Sequence, residues 1–173
     1  ATDAVGILCT TIRDPYYADM LATLEESLCQ RGISVCLRTV GDSPAAQQQT
    51  IAAMQNTVRA IICVGPLAFD TAPAVSVPLI LVDGYADAAN VYGVTADHRG
   101  AIAELVRLLM RRQRRRILFL YHRADYSQSE KATGYREALE TVGIPYDPAL
   151  VLQVGNSPNE PGRLVTVENF RFE

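Results

Sequence analysis

The chain has 173 residues, 49% of them hydrophobic and 20% charged, enough for one sizeable core or for one lobe and part of another. Its formal net charge of −3 gives no bulk attraction for nucleic acid or an anionic membrane surface. No apolar run approaches the ~18 residues of a membrane span, and no charged stretch leads into an apolar one at the start, as a signal peptide would.

In chain order, short apolar runs alternate with longer amphipathic ones. Ala4 to Cys9 is a near-continuous apolar run, the pattern of a strand covered on both faces. From Tyr16 to Arg31, Tyr17, Met20, Leu21, Leu24 and Leu28 recur at three- and four-residue spacing, which predicts a helix stopped by Gly32. Ile33 to Leu37 is the second strand. Asp42-Ser43-Pro44 then caps a helix reaching about Thr57, with Ile51 and Met54 inward. Arg59 to Val64 and Val77 to Val82 are the next strands, joined by an Ala- and Pro-rich loop, and Val91 to Val94 is a short edge strand. Asp97 to Arg112 is a third helix, with Ile102, Leu105, Leu108 and Leu109 on one side. Ile117 to Tyr121 is another buried strand, Ser127 to Val142 a fourth helix stopped by Gly143, and Leu150 to Val154 a last strand. Gly155 to Gly162 reads as a loop or linker, and Arg163 to Glu173 as a weakly alternating tail. Strand and helix in regular alternation predict an α/β fold, and right-handed crossovers make its parallel sheet doubly wound.

The four cysteines, Cys9, Cys29, Cys36 and Cys63, form no Cys-x-x-Cys pair and have no histidine at metal-ligand spacing. Three lie in strand runs, where a free thiol behaves as a small hydrophobe. Buried, reduced thiols suit a reducing cytoplasm, and no metal or cofactor is expected.

In open parallel sheets ligands bind beyond the carboxyl ends of the strands. The segments there are Thr10 to Tyr17, Gly65-Pro66, Asp83-Gly84-Tyr85, and His122 to Ser127. Carboxylates that accept paired hydroxyl hydrogen bonds, cations that donate them and aromatic faces that stack are what a sugar or nucleoside site needs. The plainer alternative is that Asp14 only caps a helix and the tyrosines are core-edge residues. Catalytic motifs are missing: there is no Gly-x-Gly-x-x-Gly turn, no phosphate loop of the Gly-x-x-x-x-Gly-Lys-Ser/Thr kind and no Gly-x-Ser-x-Gly elbow. His98 and His122 are the only histidines, and spacing gives His122 neither nucleophile nor carboxylate partner. No catalytic residue is expected. The basic run Arg111 to Arg116 ends a helix, where cations complement the dipole and cover free carbonyls.

Five pieces in order carry a resemblance: Arg13-Asp14-Pro15-Tyr16-Tyr17 after the first strand; Gln30-Arg31-Gly32-Ile33; Val77-Pro78-Leu79-Ile80-Leu81-Val82-Asp83; Asp97-His98-Arg99-Gly100-Ala101; and Gly134 to Leu139 followed by Gly143-Ile144-Pro145-Tyr146-Asp147. In these the chain resembles the LacI/GalR family of bacterial transcriptional regulators over about Ala4 to Val154. The resemblance implies a periplasmic-binding-protein-like fold of two doubly wound lobes with a small effector between them. Residues 1–113 would be the first lobe and 114–173 the start of the second. Carried over by match, the effector-binding residues would be Asp14, Tyr16, Tyr17 and Asp83, with Asp125, Ser127 and Lys131 from the second lobe. Lys131 stands where the family usually has Arg, and a lysine donates as a point where arginine offers a planar fork. Two further departures are Ala96 for Asp and Gln113-Arg114 for Gly-His.

The implied function is the effector-sensing domain of a cytoplasmic repressor, binding a sugar or nucleoside. It would be a homodimer that meets operator DNA through a helix-turn-helix this chain does not contain, and the family's remaining second lobe is expected beyond its end. Two alternatives stay open: a periplasmic sugar-binding protein of a transporter, and an enzyme on a flavodoxin-like sheet.

Overall fold

The computed structural model describes residues 3–41, 43–65, 74–121 and 126–153. The chain divides into two compact units, Ala1–Ala96 and Asp97–Glu173.

In the first unit, strands β1 (Ala4–Cys9), β2 (Ser34–Thr39), β3 (Ala60–Val64), β4 (Leu79–Val82) and β5 (Val91–Val94) form one sheet. All pair in parallel, in the order β2-β1-β3-β4-β5. Helix α1 (Pro15–Cys29) links β1 to β2, and α2 (Pro44–Met54) links β2 to β3. Both helices open on a capped proline: Asp14 Oδ1 accepts from the Tyr16 N–H at 2.9 Å, and Ser43 Oγ from the Ala46 N–H at 3.4 Å.

Strand alternation sorts the core onto the two faces of the sheet. Leu8, Ile61, Cys63, Leu79 and Leu81 pack with Ile51 and Met54 of α2. Ile7, Cys9 and Val64 pack with Leu21 of α1, and Tyr17, Met20, Leu24 and Leu28 close over them. One helix on each face is the doubly wound arrangement expected. Each fully buried aliphatic side chain contributes about 1.5–3 kcal/mol. Gln47 is completely buried in α2, which the apolar pattern does not foretell; its Nε2 donates to the Gly41 carbonyl at 2.9 Å.

In the second unit, β6 (Phe119–Tyr121) and β7 (Val151–Gln153) pair in parallel. Helices α3 (His98–Arg111) and α4 (Tyr126–Thr141) pack through Ala103, Val106, Tyr135, Ala138 and Leu139. Asp97 caps α3, its Oδ1 accepting from the Gly100 N–H at 2.8 Å. The division between the two compact units falls ahead of α3. The arginine run Arg111 to Arg116 is exposed throughout. The loop and tail expected over 155–173 lie outside the described residues.

Candidate functional site

A parallel sheet has a switch point where consecutive crossovers leave one strand to opposite sides. Here it lies between β1 and β3, because β1 is followed by β2 on one side while β3 occupies the other. The residues just beyond these two strands do meet. Gly65, directly after β3, has φ +108°, a conformation closed to most L side chains. A Cβ there would stand 2.8 Å from Thr10 Oγ1 and 3.7 Å from Tyr17 Cζ. Thr10, directly after β1, is buried. Tyr17, in the first turn of α1, is half-buried and packs on the α1 side of the sheet. The missing side chain at Gly65 is thus what lets Thr10 approach the end of β3, beside the Tyr17 ring.

Asp14, Tyr16 and Asp83 lie around the same edge. The Asp14 carboxylate is spent on capping α1, so the plainer reading of that residue holds for one of its oxygens. Tyr16 is 61% exposed and meets the Tyr17 ring edge-on at 5.3 Å. Asp83 follows β4 with φ +58°, in the left-handed region that a non-glycine residue enters at a cost. Its N–H donates to the Val94 carbonyl at 2.8 Å, and its side chain is half-buried. A residue held in that conformation at the ligand-binding edge of a sheet is the kind of local strain that clusters at functional sites.

Two thiols lie near this edge. Burial pushes the Cys9 thiol up, and it donates to the Thr11 carbonyl at 2.9 Å. Burial alone pushes Cys63 up to about 12. Neither supplies a thiolate nucleophile near neutral pH. Cys9 and Cys63 are buried as expected, but Cys36 is only half-buried and Cys29, at the end of α1, is exposed. Among the described residues no three His, Cys, Asp or Glu side chains are grouped to hold a metal ion, and no helix is long and apolar enough to cross a membrane.

In the second unit, Ser127 is buried in the first turn of α4, and Lys131 is half-buried one turn on. Four-residue spacing puts both on one face of the helix. Asp125 and His122 lie outside the described residues. Thr10 and Gly65 follow strands in the sequence, yet nothing in it singles them out, because their meeting depends on β1 and β3 being neighbours.

Residues 2–167 match the family of periplasmic binding proteins and the sugar-binding domain of the LacI family. A curated relative, an HTH-type transcriptional regulator of Lachnoclostridium phytofermentans, is 28% identical over 163 residues, 88% of this chain and 49% of the relative. Among solved structures, a LacI-family sugar-binding transcriptional regulator from Escherichia coli, complexed with phosphate, superposes with TM-score 0.76 at 20% identity, covering 91% of this chain and 60% of that one. The Escherichia coli transcriptional repressor ascG gives TM-score 0.71 at 19% identity, over 90% and 60%. The chain therefore spans about half the length of the curated relative and about 60% of these solved chains.

Proposed function

The chain belongs to the family of periplasmic binding proteins and LacI-type sugar-binding domains, as an effector-binding core of the LacI kind, and on that premise we propose that it senses a sugar or nucleoside for a transcriptional repressor. The observation that carries this reading is the meeting of Thr10 and Tyr17 over Gly65 at the switch point, with Asp83 at the end of the adjoining strand. Strands lie ~4.8 Å apart, so the ends of β1, β3 and β4 together span roughly 10 Å, a width that suits one sugar ring. Aromatic faces and a carboxylate along that edge are the groups that stack on a sugar and accept its hydroxyls. Tyr16, Tyr17, Asp83 and the second oxygen of Asp14 contribute from the first unit. In the second unit the effector-binding residues proposed are Ser127, Lys131 and Asp125.

The regulator relative supports this role over that of a transporter's periplasmic binding protein. Effector binding shifts the population of two conformations, and a cytoplasmic homodimer passes the shift to a helix-turn-helix on operator DNA. The test is a thermal-shift screen against pentoses, hexoses and nucleosides. A ligand at a hundred times its Kd adds about 2.7 kcal/mol of stability. The proposal expects a hit that weakens on Asp83→Ala and on Lys131→Ala; a well-folded sample with no hit across the panel overturns it.

A further inference from the structure

The second unit holds a column of aromatic rings that none of the residues above explains. The Tyr135 ring is buried and fixed, its hydroxyl donating to the Ile117 carbonyl at 2.9 Å. Phe119 stacks on it with centroids 5.2 Å apart and planes 26° apart. Tyr121 follows on Phe119 at 6.2 Å and 24°. At the far end, Tyr146 meets Tyr135 edge-on at 6.4 Å and carries the Arg136 guanidinium 4.8 Å over its ring.

Phe119 and Tyr121 are two residues apart on β6, so their side chains share a face and are displaced along the strand. Tyr121 is the last residue of β6 and is half-buried. Phe119 stacks on it from the amino side, and Tyr121 itself stands at the carboxyl end of the strand, where ligands of parallel sheets bind. The column behind it holds that ring still, so stacking on it costs little ordering entropy.

We propose that Tyr121 is a specificity-determining residue of the effector site, a braced platform for the flat apolar face of a ring, whether of a pyranose or of a nucleobase. The proposal rests on the sensing role argued above. It predicts that affinity follows the aromatic face and not the bulk or the hydroxyl of the side chain.

The experiment titrates each pentose, hexose or nucleoside that the wild-type chain binds into Tyr121→Phe, Tyr121→Leu and Tyr121→Ala. Urea unfolding of each variant shows that it is folded. The expected result is unchanged affinity with Phe and at least a tenfold loss with Leu and with Ala. A sugar as best ligand identifies the pyranose face, and a nucleoside the base. Affinity kept by the Leu variant overturns the role of Tyr121 and leaves the sensing role intact. A panel with no wild-type binder overturns both.

Discussion

The main-chain carbonyl of Arg99 in α3 occupies the space where a side chain at Gly134 in α4 would begin. The contact is with backbone, so no rotamer change relieves it. Helix propensity argues the other way, since Gly→Ala within a helix ordinarily stabilises by about 0.5–1 kcal/mol. Overpacking by one methyl against a fixed backbone costs about 1–3 kcal/mol. Gly134→Ala is therefore expected to destabilise the second unit, with the urea midpoint moving down. A midpoint that rises would show the helices free to separate, and would remove the close contact as an account of this glycine.

Arg99 also reaches α4 through its side chain. Its guanidinium grips both oxygens of Glu137, Nε to Oε2 at 2.7 Å and NH2 to Oε1. The hydrogen bond from Arg99 holds the Glu137 carboxyl below the usual glutamate value of 4.5. A carboxyl whose folded value is lowered contributes stability in full above the unfolded value, and loses it as the pH falls through the folded one. Both side chains are largely exposed, so the contribution is small and screened by salt. The stability gap between the wild type and Glu137→Gln should be open at neutral pH and low salt, and should close in acid below the glutamate range. Unfolding curves at several pH values check this, and a gap independent of pH would leave the ion pair without a part in it.

The same pair of helices shows where sequence reading stopped. Apolar spacing marks Leu21, Ile51 and Met54 as inward residues, and all three are buried. In α3 it marks Ile102, Leu105, Leu108 and Leu109; Ile102 packs at the margin of the contact with α4, but its buried centre is Ala103 and Val106, while Leu105 is 50% and Leu108 41% exposed. Two helices that approach until Gly134 touches the main chain need small residues at the seam, and the largest side chains are displaced from it. A count of apolar residues weights size and so misses the small residues at the centre of the seam. The site has the same history. The alternation of elements predicts a parallel sheet and points to its carboxyl ends, which is how Tyr17 and Asp83 are reached. Strand order is a property of pairing, so the meeting of Thr10 with Gly65, and the run of rings ending at Tyr121, were not legible.

Gln113, just beyond α3, has φ +61° and occupies the position that Gly143 fills beyond α4, at φ +72°. In both, the following N–H reaches back to the last turn: Arg114 to the Leu109 carbonyl and Ile144 to the Leu139 carbonyl, each at 3.0 Å. A left-handed non-glycine residue costs about 1–2 kcal/mol, and a glycine gives back about 0.5–1 kcal/mol through its freer unfolded chain. Gln113→Gly should therefore stabilise by roughly 0.5–1 kcal/mol, seen as a higher urea midpoint with an unchanged slope. Destabilisation would mean that the glutamine side chain contributes more than its backbone costs.

Gly65 separates structural from functional consequences most sharply. At φ +108° an alanine is strained by about 1–3 kcal/mol, and its Cβ, 2.8 Å from Thr10 Oγ1, forces that hydroxyl away, while it would stand in ordinary contact with Tyr17 Cζ at 3.7 Å. Thr10, buried directly after β1, is the residue that must yield, and its movement disturbs the edge it shares with Tyr17. Gly65→Ala should then lose stability and, in the fraction that remains folded, bind effector at least tenfold more weakly. Tyr17→Phe keeps the ring and should bind within a few-fold of the wild type. Titrating both variants at a temperature where each is folded separates the two effects. Gly65→Ala binding as tightly as the wild type would place the effector elsewhere than on the Thr10–Tyr17 edge.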